Sequence, residues 1–191
     1  MKLEIVHQKF YNRGELFLRT FFGGLYIVLP HIFALIPLLL YGWLLWVYGT
    51  FHALLKGELP DSYRSFFTRL MEWGIRLHLS VYNMTDGYPK FGLNNRNTQF
   101  DFDFEINDVK RSAVLLRFLI GPILLIPHLI VLSILGHIVV SLAFVAFFIV
   151  LFTRTYPEGL FNIQVGYLKW ILRLAEYVLY FGKEYPYFGL R

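Results

Sequence analysis

Two long segments without charged side chains dominate the hydropathy pattern of the chain. Thr20 to Leu55 and Phe118 to Thr153 each contain 36 residues and no Asp, Glu, Lys or Arg. A run of about 18 such residues is enough for one membrane-spanning helix. The whole chain is 57% hydrophobic and 16% charged, whereas about 25% of the residues of a soluble domain are charged. The pattern predicts an integral membrane protein.

Each apolar run is predicted to fold as a helical hairpin. A single helix of 36 residues would be about 54 Å long, against about 30 Å of hydrocarbon in a bilayer. Pro37 and the segment Ser133 to Gly136 lie near the two midpoints and are the candidate turns. Hairpins at 20–55 and 118–153 would place all 18 Lys and Arg residues on one side of the membrane, as the positive-inside rule favours. We therefore expect a multi-pass protein with both termini in the cytoplasm. The pattern leaves open whether the turns cross the bilayer or re-enter.

Shorter periodic segments flank the runs. KLEIVHQKF and QFDFDFEIND alternate apolar and polar residues and predict two short strands, which could pair into a small ribbon. Segments 62–83 and 159–181 carry polar and apolar residues at helical spacing and predict two amphipathic helices. Basic residues with Trp and Tyr at the polar border are typical of a helix in the headgroup layer. Packing of each helix against its own hairpin would produce the same pattern.

The chain matches itself at an offset of 97 residues. GYPKFGL and EYPYFGL coincide at this offset, and Pro30 to Leu93 shares 17 identities in 64 positions with Pro127 to Leu190. The predicted fold is therefore an all-α integral membrane protein of two tandem repeats, residues 1–97 and 98–191. Each repeat would contain a short strand, a transmembrane helical hairpin and an amphipathic interfacial helix. Two repeats with the same orientation would be related by a pseudo-twofold axis along the membrane normal. Arg19 and Arg117 match only after a one-residue slip.

The repeated residues form a recognisable set of motifs. The second copy has Arg117, Pro127-His128, Tyr156 to Phe161, Trp170 with Arg173, and Tyr185 to Leu190, and the first copy has a degenerate version of the same set. This pattern resembles the bacterial membrane family known as domain of unknown function 4389. The resemblance implies a bacterial membrane protein with paired apolar segments, which we expect in the inner membrane. It carries no established activity.

Three groups of residues are candidates for binding or packing. Arg19, Arg76, Arg117 and Arg173 could clamp the phosphates of anionic lipid headgroups, because guanidinium forks suit phosphate, or could anchor helices at the interface. His31 and His128 are equivalent in the two repeats and could ligate haem, or could bond to the protein itself. Gly42 and Gly49 are seven residues apart and predict a close helix contact.

The sequence also argues against several classes of function. There is no cysteine, neither apolar run contains a carboxylate, and no nucleotide-binding or hydrolase motif is present. We expect no catalytic residue, no metal site and no nucleic-acid partner. The leading hypothesis is a non-catalytic accessory subunit of the bacterial inner membrane, with the lipid bilayer and other membrane subunits as partners. The alternative is a lipid-handling protein that holds anionic headgroups. A haem-binding subunit is the least favoured alternative.

Overall fold

Two helices of more than forty residues determine the architecture. In the computed structural model, which describes residues 1–95, 98–105 and 109–190, the first long helix is Arg13–Lys56 and the second is Arg111–Thr153. Each is about 65 Å long, and both are long and apolar enough to cross a membrane. The elements in chain order are β1 (Lys2–Ile5), α1 (Arg13–Gly23), a π-helical turn (Gly24–Val28), α2 (Leu29–Lys56), α3 (Asp61–Val81), β2 (Phe100–Asp103), α4 (Arg111–Thr153) and α5 (Glu158–Val178).

The predicted hairpins are wrong. Pro37 lies inside α2, and Ser133 to Gly136 lie inside α4, so each apolar run forms part of one continuous helix. A proline in a helix removes one backbone hydrogen bond and need not end the helix. The chain turns only after each run, at Gly57 and Arg154, which both adopt left-handed backbone conformations.

Each long helix pairs with the shorter helix that follows it. Helix α3 runs back along the first long helix, so that Tyr63 packs on Gly49 and Asn83 bonds to Arg19 at the other end. Helix α5 returns along α4 in the same way, from Gln164, which bonds to the carbonyl of Val139, towards the start of α4. Helices α3 and α5 occupy the segments predicted as amphipathic helices, and their apolar faces are buried against the long helices.

The π-helical turn accounts for the one-residue slip in the sequence match. The first half has one residue more between Arg19 and Pro30 than the second half has between Arg117 and Pro127. The π turn Gly24–Val28 lies within that interval. A π turn contains one more residue than an α turn, so the extra residue is taken up without displacing the residues on either side.

The two long helices are antiparallel, and so are the two strands. Arg13 Nη2 donates to the carbonyl of Phe152, and Trp46 stacks near Phe118, which places opposite ends of the two helices side by side. In the ribbon, Glu4 lies opposite Asp101, its counterpart at the offset of 97. The register of the ribbon is therefore symmetric about this pair, since Leu3 opposite Phe102 mirrors Ile5 opposite Phe100.

The ribbon packs on α3 and α5, on the side that faces away from the long helices. Leu3, Phe100 and Phe102 are buried in the same core as residues of both short helices. The segment of β1 extends along α5, from the amino group of Met1 beside Glu176 to His7 beside Phe161. The protein thus has three layers, with the long helices first, then α3 and α5, then the ribbon. We call the last two the polar layer.

The packing between α2 and α3 can be tested by a substitution at Gly49. A Cβ at Gly49 would overlap Tyr63 Cδ2, which forces the ring to move. We expect Gly49→Ala to lower the thermal unfolding midpoint in detergent. The control is Gly74→Ala, since Gly74 is a helical glycine with no atom within 4 Å of its would-be Cβ. The control should gain about 1 kcal/mol from helix propensity. Equal midpoint shifts in the two variants would contradict the contact.

Candidate functional site

A buried histidine links α2, α3 and the segment that follows α3. Trp73 Nε1 donates a 2.8 Å hydrogen bond to His31 Nδ1. The ring of Phe91 stacks on the imidazole with 3.8 Å between centroids. The Tyr88 hydroxyl donates to the carbonyl of Tyr26 on the same helix face. The Tyr-Pro-x-Phe-Gly-Leu motif is therefore the segment that closes over His31.

The second half contains an equivalent cluster. Trp170 Nε1 donates to His128 Nδ1 at 3.0 Å, and Phe188 stacks on the imidazole at 3.9 Å. The Tyr185 hydroxyl donates to the carbonyl of Leu124. Each partner stands 97 residues after its counterpart in the first cluster, except that Leu124 follows Tyr26 by 98, because Tyr26 lies within the π turn and ahead of the extra residue of the first half. We call residues 82–95 and 179–190 the exit segments.

Arginines on the short helices hold the exit segments by their backbone. Arg76 donates from Nη2 to the carbonyl of Gly92 at 2.7 Å and from Nη1 to the carbonyl of Asn95 at 3.0 Å. Arg173 donates to the carbonyl of Gly189, and its guanidinium lies 4.0 Å from the centroid of the Tyr187 ring. Both arginines therefore bind the glycine of the repeated Phe-Gly-Leu phrase.

Arginines on the long helices bind the beginning of the exit segments. Arg19 is buried and donates to Asn83, to the carbonyl of Thr85 and, at 2.8 Å, to Asp86. Arg117 donates 2.6 Å hydrogen bonds to the carbonyls of Gly182 and Lys183 and lies 4.5 Å from the ring centroid of Tyr177. A buried guanidinium needs such partners because removing it from water is costly.

The four arginines predicted to bind lipid headgroups therefore meet protein oxygens. Carbonyls accept hydrogen bonds from all four guanidinium groups, and Arg19 also donates to the carboxylate of Asp86. A cavity of about 550 Å³ beside Arg173 is lined by both cations and carboxylates, among them Lys169, Lys183, Glu105 and Glu176. Interleaved charges of both signs do not select an anion. The geometry favours a structural role for these arginines.

The two histidines predicted as haem ligands lie in separate clusters. Both are buried, with His31 1% exposed and His128 0% exposed. Because Nδ1 of each ring accepts a hydrogen bond from tryptophan, the ring proton of the neutral imidazole lies on Nε2, and a protonated nitrogen has no lone pair for iron. This arrangement suits a buried structural histidine.

The two glycines predicted at a helix contact lie under the aromatic face of α3. A Cβ at Gly42 would lie 3.1 Å from Phe66 Cε1, and one at Gly49 would meet the ring of Tyr63. Tyr63 in turn bonds to the carbonyl of Leu179 and packs on Phe181. These glycines bring α3 close to α2 and, through Tyr63, connect it to the second exit segment.

The long helices leave one face uncovered along their whole length. In the most apolar stretch of the first and the second long helix, only 17% and 22% of the residues are buried. The exposed apolar side chains recur mostly every three or four residues, and we call them the outer face. They include Phe17, Phe21, Leu25, Leu29, Phe33, Ile36, Leu40, Trp43, Leu44, Tyr48, Phe51 and Leu55 on the first helix, and Leu115, Leu119, Ile123, Ile126, Ile130, Ile134, Ile138, Val145 and Phe152 on the second.

The polar layer carries titratable groups whose pKa values its burial shifts. His78 stacks on Tyr82 and faces Tyr167 across the contact between α3 and α5. Burial lowers its pKa to about 4, so the ring is neutral at pH 7. Burial also raises the pKa of the Glu72 carboxyl, an effect that Arg76 partly offsets. His78 is therefore packed between α3 and α5 as an uncharged ring at neutral pH.

Comparison with known proteins supports the predicted family for the second half of the chain. Residues 111–189 match the family model described as "Domain of unknown function (DUF4389)". The match begins with the first residue of α4 and ends at Gly189, so it covers the long helix, the short helix and the exit segment. No curated protein and no solved structure matches the chain.

Sequence reasoning missed the residues that pair with the motifs. Asp86 bonds to Arg19 and to the backbone of Asn12 at the start of α1. Trp46 Nε1 donates to the carbonyl of Val178 and joins the two halves. A signal existed for the first pair, since an arginine at the mouth of an apolar run needs an acceptor. Nothing in the sequence pattern distinguished Trp46 from its neighbours on the outer face.

The hydrogen bond between Trp170 and His128 can be measured by a double-mutant cycle. Trp170→Phe leaves a buried acceptor without its donor, and we expect a loss of about 1–3 kcal/mol in the free energy of unfolding. His128→Phe combined with Trp170→Phe should cost less than the sum of the single changes. The matched control is Trp43→Phe, because Trp43 is 63% exposed. Denaturant unfolding in detergent, followed by circular dichroism, gives these energies, and strict additivity would contradict the coupling.

Proposed function

We propose that the protein is a non-catalytic component of the bacterial inner membrane, built as a tandem duplication. The observation that carries this proposal is the outer face, which extends over both long helices without a Lys, Arg, Asp or Glu between Thr20 and Leu55 or between Phe118 and Thr153. An apolar surface of this extent is far larger than the patches that soluble monomers expose. Lipid hydrocarbon is the medium in which such a surface is stable.

The polar layer supports a structural role for the rest of the chain. Its polar side chains bond to the protein itself, since Arg76 of α3 donates to the carbonyl of Gly92 and Trp170 of α5 donates to His128. Side chains used in this way hold the exit segments in place. We infer that the protein acts as an accessory subunit, with the outer face in lipid and the polar layer available to other subunits of a membrane assembly.

Charge placed on the outer face should release the protein from the membrane. Leu40 and Leu44 are 63% and 59% exposed and lie one helical turn apart. We expect Leu40→Asp combined with Leu44→Asp to cost about 5 kcal/mol of insertion free energy and to abolish resistance to alkaline carbonate extraction of bacterial membranes. The matched control is Val6→Asp, which is also 63% exposed but lies next to β1. Extraction of the unmodified chain by carbonate would refute the proposal.

The role as a subunit has its own test. We expect native mass spectrometry of the protein, extracted from its host in a mild detergent, to give a mass that includes other polypeptides. The same polypeptides should be recovered by crosslinking in intact cells before extraction. A single chain in both experiments would contradict the subunit role and leave the membrane location standing.

A further inference from the structure

We propose that the protein lies flat in one leaflet, with both long helices parallel to the membrane plane and neither crossing the bilayer. This inference rests on the proposed membrane location and assigns the ligand of the outer face as the acyl chains of a single lipid leaflet. Three features of the described structure support it, namely the length of the outer face, the position of the polar layer and the charges at the helix ends.

The outer face is too long to cross a bilayer. On the first long helix it extends from Phe17 to Leu55, a distance of about 57 Å along the axis, whereas the hydrocarbon core is about 30 Å thick. Fitting that length into the core would need a tilt of about 60°, and membrane helices tilt by about 40° at most. An upright helix would leave Phe17, Phe21, Phe51 and Leu55 outside the hydrocarbon. A helix about 10 Å wide lying in the plane of the membrane fits within one leaflet of about 15 Å.

The polar layer lies over the middle of the long helices. His31, near the midpoint of the first long helix, bonds to Trp73 of α3, and His128, near the midpoint of α4, bonds to Trp170 of α5. The ribbon lies over the same region, because Leu3 of β1 lines one cavity with Lys169 and Arg173, which stand on either side of Trp170 in α5. If the long helices crossed the bilayer, their midpoints would lie at its centre, and the ribbon would lie at the same depth.

Exposed charges on the ribbon are incompatible with that depth. The side chains of Lys2, Glu4 and Asp101 are 53%, 73% and 67% exposed. Charged side chains inside a membrane normally face a protein interior or a water-filled cavity. With the long helices in the plane of the membrane, the ribbon faces water and the outer face is immersed in acyl chains.

The helix ends carry basic residues suited to lipid phosphates. Arg13 and Arg154 are exposed at one end of the helix pair, and Lys56 and Arg111 are exposed at the other. Long basic side chains beside an apolar face extend towards the headgroups and favour an anionic surface. In a dimer packed through the outer face, the basic helix ends of the two copies would lie close together and repel each other. The charges therefore favour lipid over a second copy.

The polar side chains of α4 do not oppose this location. His137 Nδ1 lies 2.8 Å from the carbonyl of Ser133, and Ser141 donates to the carbonyl of His137 at 2.9 Å. Both bonds reach one turn back along the helix, which satisfies a polar group within its own helix.

Single-cysteine labelling separates the two orientations, and the chain contains no native cysteine. Phe33→Cys places a label on the outer face near the midpoint of the first long helix, and Glu4→Cys places one on the exposed side of the ribbon. Each variant is reconstituted in vesicles of phosphatidylethanolamine and phosphatidylglycerol, spin-labelled, and exposed to oxygen or to a water-soluble nickel chelate. We expect the label at position 33 to respond to oxygen only and the label at position 4 to respond to nickel. Protection of both labels from nickel would overturn the proposal in favour of crossing helices.

Depth along the first long helix provides the second measurement. Phe21→Cys, Phe33→Cys and Phe51→Cys are all on the outer face, at 58%, 67% and 57% exposure. Labels on a helix in the membrane plane should report one common depth, whereas a crossing helix would place only position 33 deep in the hydrocarbon. Strong spin–spin broadening at all three positions, with little oxygen response, would instead identify a second copy on the outer face and overturn the proposal.

The same samples distinguish failure of this inference from failure of the proposed function. Vesicles and protein are separated by flotation before the labels are measured. Protein that does not float with the vesicles would contradict the membrane location itself. Protein that floats but shows a depth gradient would contradict only the flat orientation.

Discussion

Each long helix is about twice as long as the hydrocarbon core of a bilayer is thick. Helices α3 and α5, with 21 residues each, cover only one side of the long helices, so apolar and polar surfaces are separated by side rather than by end. Crossing the bilayer would place the exposed charges of the ribbon at its centre, at a cost of about 3 kcal/mol for each charged side chain on insertion scales. An orientation in the membrane plane avoids this cost. It also lets the basic side chains at both ends of the helix pair reach the lipid headgroups.

Hydrogen bonds to buried polar groups determine where the exit segments lie. A tryptophan N–H donates to Nδ1 of each buried histidine, and guanidinium groups donate to the carbonyls of segments that have no regular secondary structure. Leaving such a group unpaired inside a protein costs about 1–3 kcal/mol. Pro-His, Trp-x-x-Arg and Tyr-Pro-x-Phe-Gly-Leu are therefore parts of one contact in each half. Their spacing recurs because the geometry of that contact recurs.

The sequence predicted the helical segments, the strands and the offset of 97 because each of these is a local or repeating pattern. It failed on the hairpins, because 36 apolar residues contain no signal that distinguishes a turn at Pro37 from a continuous helix. That choice depends on a partner distant in sequence, since Tyr63 and Trp73 of α3 pack along α2.

The roles assigned to Arg76 and His31 were uncertain for a related reason. Composition shows that a residue can bind phosphate or iron, but only burial and neighbours show which protein groups it already contacts.

The ribbon explains why the two halves belong together. One half alone contains a long helix, a short helix and an exit segment, the unit that the matched family model covers in the second half. It contains only one strand, however, and an isolated strand exposes unpaired backbone groups. Pairing β1 with β2 satisfies those groups and buries Leu3, Phe100 and Phe102 over both short helices. A single unit of this kind would need a strand from a second chain to complete its polar layer, and the present chain supplies that strand itself.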